Sequence, residues 1–495
     1  MSVGKKASKG FISFLYRNLL EKLVGMIAMI VLARQLSPYD FGLVSITEVV
    51  LALISVFGTT GLAEYLLAYK GNDQEEIFKA AFWLNICLTV CIIIIFLGVA
   101  PFWAKYQKYE RIWTLSLFLA GIFFFSQLQG IAKTWLSRQL EFEKQVKVQA
   151  PFILLVALGK IAAVYAGLGV YSLVLPTLIF QPIITVLLYR AIDLRPGFIF
   201  HSHRWREIFR FSRHLIGSTI LGRIVDQSDR IILGKILGLE KLGIYSIAVQ
   251  LADLVTSQVV MVSNSVLSSV LPKYVHDKEK LYTHYIQFLK TFSFIVFPVL
   301  GIILVGAKPI VEILYGPKWE QAVLPTQILI IYAMFRVVTS SYGPIMNSLH
   351  LTRQSFRINL VYTPFHIVGS FIGSLIGVAG VASSLVLVKA VFLNLSIRQM
   401  MNAIAKPVQS WYREMTPFFL VTYLIIGCIF AINYFSGIHG NITPLAQICV
   451  IASQFLILYY FVFRSFFGDQ LKLISCFLSD TLPKSQVVFN FLFRI

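Results

Sequence analysis

Charged residues are scarce, making up 13% of the 495-residue chain, against about 25% in soluble globular proteins. With 57% of residues in the hydrophobic set, one water-soluble core cannot hide the apolar surface, and no polar stretch is long enough to fold as a separate domain. Acidic residues are scarcer still, 23 against 43 Lys and Arg, which leaves a net charge of +20. Such a charge commonly marks nucleic-acid binding. Here the basic residues sit in short loops between apolar runs, so orientation in a membrane accounts for them and no nucleic-acid partner is expected. The five cysteines, Cys87, Cys91, Cys428, Cys449 and Cys476, show neither paired extracellular spacing nor CxxC, and are expected to be small buried hydrophobes.

The chemistry of bond-making is also missing. The sequence contains no GxxxxGK[ST] phosphate loop, HExxH metal motif or GxSxG nucleophile elbow, which disfavours ATP hydrolysis in cis and hydrolytic catalysis and implies no cofactor. The basic N-terminus leads into an apolar segment interrupted by Arg17, Glu21 and Lys22, with no small-residue cleavage pattern after it; a retained first helix is expected rather than a signal peptide.

What is abundant is the apolar run of about 20 residues. Backbone groups facing lipid must be satisfied within their own segment, so runs of this length imply helices. The sequence predicts an all-α polytopic membrane protein with fourteen spans near 11–32, 42–65, 80–102, 113–132, 148–168, 170–190, 211–234, 243–267, 285–307, 322–345, 358–378, 380–400, 416–436 and 443–463. Lys and Arg concentrate in the N-terminal tail, every second loop and the C-terminal tail, which predicts both termini in the cytoplasm. All loops on the other side are short. The basic, aromatic segment His201–His214 suits a cytoplasmic interface with anionic lipid.

An internal repeat divides this array. The stretch Leu32–Ile46, LARQLSPYDFGLVSI, matches Leu233–Ile247, LGKILGLEKLGIYSI, at an offset of 201 residues, setting Arg34 against Lys235, Gly42 against Gly243 and Ser45 against Ser246. A second echo joins GLGVYS around Gly169 to VAGVAS around Gly380. Six spans separate the copies, so both have the same orientation. Two parallel six-helix lobes are expected, 1–190 and 211–400, joined by a cytoplasmic linker over 191–210 and followed by two helices within 401–463 and a cytoplasmic tail, 464–495.

Ionisable side chains inside spans cost several kcal/mol and usually face a protein interior or an aqueous cavity. On the first span Arg17 and Glu21 are four apart and share a face; Lys22 superposes on Arg223 at the repeat offset. Around Arg223 the seventh span carries Asp226, Asp229 and Arg230. Lys22 and Arg223 are candidates to attract an anionic headgroup, with Arg17 and Arg230 along the same path. Asp226, Asp229 and Glu21 are candidates for ion coupling, the competing reading for the carboxylates being permanent pairing with neighbouring cations. Lys290 and Arg336 are weaker cavity candidates.

The ordered set VLARQLSPYDFGLVSI, FGTTGLAEYL, FWLNI (Phe82–Ile86), LEFEK (Leu140–Lys144), LRPGF (Leu194–Phe198) and DQSDRIILGKILG (Asp226–Gly238) resembles the bacterial polysaccharide transporter family of oligosaccharide flippases, within the multidrug/oligosaccharidyl-lipid/polysaccharide exporter superfamily. The resemblance covers about residues 5–465, nearly the whole chain. It implies alternating access by two lobes and transfer of a polyprenyl-pyrophosphate-linked glycan across the bacterial inner membrane, for capsule, O-antigen or exopolysaccharide synthesis. It implies a cationic cavity for the headgroup and a membrane-lipid environment; related carriers are commonly linked to proton or sodium gradients, the alternative being passive equilibration drawn forward by glycan use outside, and a compact fourteen-helix chain can hold a complete pathway as a monomer, alone or beside a glycan polymerase. A multidrug exporter, a peptidoglycan-precursor flippase and a non-transporting protein of a glycan-export complex are the alternatives.

Overall fold

The computed structural model describes residues 3–466, apart from 60, 70, 72, 108, 193–201 and 436–442. The expected linker over 191–210 is therefore described in part; LRPGF and the tail beyond residue 466, with Cys476, lie outside the described residues.

The described residues are helical throughout the array, with no strand among them, and the expected segments 42–65 and 322–345 are each broken between two helices. The helices run α1 Val3–Gln35, α2 Pro38–Thr59, α3 Leu62–Ala68, α4 Gln74–Gln107, α5 Arg111–Arg138, α6 Phe142–Tyr165, α7 Leu175–Arg190, α8 Ser202–Ile236, α9 Gly238–Val270, α10 Lys278–Val305, α11 Ala307–Tyr315, α12 Val323–Thr339, α13 Tyr342–Ser348, α14 Thr352–Ser374, α15 Val378–Ile404, α16 Val408–Phe435 and α17 Pro444–Phe466. Among the described residues eleven helical segments are long and apolar enough to cross a membrane. The long helices outside that set are α1, α8 and α14. The first two carry the ionisable clusters named above, and α14 carries Arg357, Asn359 and His366, so the residues that attract functional interest are the ones that lower apolarity.

Two compact units emerge. One comprises Met1–Ser246 with Asn359–Ser384, the other Ile247–Ile358 with Leu385–Ile495. In the first, α1 packs along α6, α4 along α5, α2 against α8, and α7 against both α5 and α6. In the second, α10 packs against α12, α16 and α17, around a ring cluster of Phe294, Phe418, Tyr459 and Phe463.

The four described cysteines, Cys87, Cys91, Cys428 and Cys449, are free and exposed, which corrects the expectation that they are buried. In a bilayer an apolar span turns much of its surface to lipid, so apolar neighbours in sequence do not imply burial. Ile94, Phe102, Leu158, Ile376 and Phe461 stand out of the protein for the same reason.

The ends of several helices in the first unit are tied together by polar contacts. After α3, the Arg138 guanidinium donates to the carbonyl oxygens of Leu66 and Tyr69, filling acceptors that a helix terminus leaves open. Below it Phe78 and Trp135 meet edge to face, 4.8 Å between centroids, within a core of Leu66, Ile77, Leu136 and Ile208. Arg204 pairs with Asp73 and Glu207, and the Trp205 indole donates to Ala80 O at 2.9 Å. These two residues of the basic interfacial segment thus serve internal contacts as well as any lipid.

The Tyr69 hydroxyl donates to Asp73 at 2.5 Å, and this bond, with Arg204 beside it, holds the Asp73 carboxyl below its usual range. A carboxyl depressed in the folded state contributes stability above its unfolded pKa, about 4, and loses it as pH falls through the folded value. Between about pH 6 and pH 3, Asp73→Asn should therefore lose less thermal stability than the parent protein in detergent. Equal losses would mean that this cluster does not contribute.

Candidate functional site

Within the first unit, α1, α5, α6 and α7 enclose a cavity of about 340 Å³. Helical spacing puts the lining residues on one face of each element: Arg17, Glu21, Gly25, Ala28 and Leu32 on α1, Gln129 and Lys133 on α5, Gln149, Ile153, Val156 and Lys160 on α6, Thr177, Gln181 and Ile184 on α7. From Arg17 to Leu32 the wall follows four turns of α1, about 22 Å at 1.5 Å per residue.

One end of the cavity is cationic. Arg17 Nη2 donates to Glu21 Oε2 at 2.9 Å, while Arg17 Nε is buried without a hydrogen-bond partner. Lys133 stands within electrostatic reach of both, and no ion pair or hydrogen bond to it occurs among the described residues. Two cations that share one carboxylate, with a guanidinium N–H left unbonded beside them, are costly unless an anion or water joins them. At the other end Lys160 lies within electrostatic reach of Glu48 on α2, and Arg230 of α8 also acts on that carboxylate.

Amides line the wall near the cationic end. Gln129 Nε2 donates to the Gln181 side chain and, at 3.2 Å, to Thr185 Oγ1. Gln145 Nε2 donates to Gln149 Oε1 at 3.3 Å, leaving the Gln149 amide N–H groups for the cavity. Cations beside amides at the edge of an apolar trough suit a ligand with an anionic group joined to hydroxyl-rich and apolar parts.

Of the residues expected from sequence, Arg17 and Glu21 line this cavity, whereas Lys22 and Arg223 are exposed and lie off its wall. Asp226 is exposed. Asp229 is buried, accepting from the Tyr245 hydroxyl and, at 2.8 Å, from the Arg230 backbone N–H. In the second unit Lys290 pairs with Glu414 and Arg336 with Asp253.

Lys133 was not among the expected residues. The fourth span is expected to end at 132, whereas α5 runs to Arg138 and carries Lys133 inside the helix. The i, i+4 spacing of Gln129 and Lys133 was the available signal.

Residues 31–324, more than half of the chain, match the model of a family described as polysaccharide biosynthesis protein. The chain belongs to that family. It is 26% identical over 351 residues to an uncharacterized membrane protein in the cps region of Klebsiella pneumoniae, covering 68% of this chain and 70% of that one. It is 24% identical over 402 residues to the lipopolysaccharide biosynthesis protein WzxC of Escherichia coli (strain K12), covering 79% of each. Among solved structures, the lipid II flippase MurJ in an inward closed conformation is similar in fold, with a TM-score of 0.70 at 14% identity over 92% of this chain and 99% of that one.

Proposed function

We propose that this protein is a flippase, carrying a polyprenyl-pyrophosphate-linked oligosaccharide repeat unit from the cytoplasmic to the outer leaflet of a bacterial inner membrane. The carrying observation is the cationic end of the cavity, where Lys133 and Arg17 line the wall with Glu21 as the one carboxylate among the lining residues. A pyrophosphate placed there gains charge-assisted hydrogen bonds, the amide wall offers partners to sugar hydroxyls, and the polyprenyl chain stays in lipid. Family membership and the likeness to WzxC support the glycan, and the MurJ-like fold supports a carrier. No covalent bond is made or broken.

In this reading fourteen helices form two six-helix lobes, 1–190 and 211–400, with the helices of 401–463 added after them, and access alternates between the leaflets. Both termini lie in the cytoplasm. A proton or sodium gradient supplies direction, and a polymerase consumes the glycan on the far side. Lys22, Arg223 and Arg230 extend the cationic path beyond the cavity.

Mass spectrometry of polyprenyl-pyrophosphate-linked sugars in cells with and without the protein tests this. Loss of the protein should lead to accumulation of one complete repeat unit, and its return should clear it. An unchanged lipid-linked pool would overturn the substrate class, and accumulation of the peptidoglycan precursor alone would reassign it.

A further inference from the structure

The first two turns of α8 present two different faces. Toward the protein, the Trp205 indole bonds to Ala80 O, Arg204 pairs with Asp73 and Glu207, and Ile208 is 2% exposed in the core around Phe78. On the other face His203, Arg206 and Arg210 are exposed, and Phe209 beside them is 57% exposed. Arg206 and Arg210 are one turn apart, with Cβ atoms about 5–6 Å from each other. Neither arginine makes an ion pair or hydrogen bond among the described residues.

The chain repeats the anchoring face later on, without the outward one. WREIFRF at 205–211 recurs as WYREMTPF at 411–418, one residue longer. Trp411 is 2% exposed, and its indole donates to the Tyr285 hydroxyl of α10 at 2.8 Å, as the Trp205 indole donates to α4. Met415 is buried in its unit where Ile208 is buried in the other. What differs is the pair that follows: Phe209 and Arg210 are replaced by Thr416 and Pro417. Pinning the start of such a helix therefore takes the tryptophan and a buried apolar residue, and does not take Phe209 or Arg210. Those two side chains are left for contact outside the chain.

We propose that Arg206, Phe209 and Arg210 form a docking face for the headgroups of anionic phospholipid, which holds the start of α8 at the membrane surface. Guanidinium groups beside an exposed ring, immediately before an expected span, match that surface: the cations meet phosphate while the ring enters the acyl boundary. A phosphate in solution would satisfy the arginines but would leave the ring in water. None of the three residues lines the cavity of the first unit, so the docking face stands or falls apart from the flippase reading.

The test uses the full chain in a neutral detergent and follows its unfolding temperature as phosphatidylglycerol, phosphatidylcholine or inorganic pyrophosphate is added. Phosphatidylglycerol should raise that temperature by several degrees and phosphatidylcholine by much less, and added salt should shrink the difference, because exposed charges are screened. Arg206→Gln with Arg210→Gln should lose at least half of the phosphatidylglycerol shift. Arg398→Gln with Arg413→Gln, which removes two exposed arginines elsewhere, should keep all of it. An undiminished shift in the first double variant, an equal loss in the second, or an equal shift with phosphatidylcholine would overturn the docking face. Pyrophosphate that reproduces the shift and displaces the lipid would give the arginines to a soluble anion and overturn the lipid as occupant. A second measurement does not depend on folding of the arginine variants: with the five cysteines replaced by serine, Phe209→Cys should react with maleimide several-fold more slowly in nanodiscs containing phosphatidylglycerol than in phosphatidylcholine alone. Equal rates would overturn the proposal.

Discussion

Replacing Lys133 and Lys160 together by glutamine should stop glycan export and cause the lipid-linked repeat unit to accumulate as in cells lacking the protein. The two ammonium groups line opposite ends of one cavity. A charge-assisted bond from Lys133 to a phosphate oxygen contributes about 1.5–3 kcal/mol, so its loss alone predicts a fall in transport of at least about tenfold at subsaturating substrate. The single variants should differ. Lys133 faces the cavity beside Arg17 and has no partner of its own among the described residues, whereas Lys160 has Glu48 nearby. Lys133→Gln alone should account for most of the loss, and Lys133→Arg should recover part of it, since charge is kept while length and shape change. The readout is the lipid-linked pool, normalised to folded protein in the membrane. Full export by the folded double variant would remove the cavity from the mechanism.

Tyr245→Phe should destabilise the protein by about 2 kcal/mol without removing any atom from the cavity wall. Tyr245 is fully buried and its hydroxyl donates to Asp229, which is itself buried. Deleting the hydroxyl leaves the Oδ2 atom of that carboxylate without its tyrosine donor while the Arg230 backbone N–H still serves Oδ1, and an under-satisfied buried acceptor costs about 1–3 kcal/mol, more when charged. Adding Asp229→Asn should return part of that stability, because the charge no longer has to be satisfied. Thermal unfolding in detergent measures both. The pair also separates two roles for Asp229. If it is a fixed structural partner, Asp229→Asn keeps export and alters stability. If it couples transport to an ion gradient, Asp229→Asn keeps the fold and uncouples export from the gradient. The two hydrogen bonds that already occupy its carboxylate favour the structural role.

The helix array was legible because lipid imposes a simple rule: backbone groups must be bonded within the segment, and about 20 apolar residues suffice. Among the described residues eleven helical segments are long and apolar enough to cross a membrane, and the expected segments 42–65 and 322–345 are each divided between two helices. The repeat was equally legible, through Gly42, Ser45, Gly243 and Ser246 at one offset. The candidate site was legible in part. Arg17 and Glu21 stood out as charges four residues apart inside an apolar run, and both line the cavity. Lys133 did not, because its apolar run ends just before it, while the helix continues for another turn and a half.

Composition and periodicity, then, decided the membrane class, the helical backbone and the order of the spans, since all three follow from local hydrogen bonding and transfer to lipid. They could not decide which of several intramembrane charges share a cavity, since that depends on the rotation of each helix about its axis, which is set by packing against neighbours. Lys22 and Arg223 match by repeat offset yet are exposed and lie off the cavity wall, while Lys133 and Lys160 line the same cavity. Tertiary structure also decided the fate of the cysteines, exposed on apolar helices, because in a bilayer an apolar residue can be satisfied by lipid as well as by protein, and only packing chooses between them.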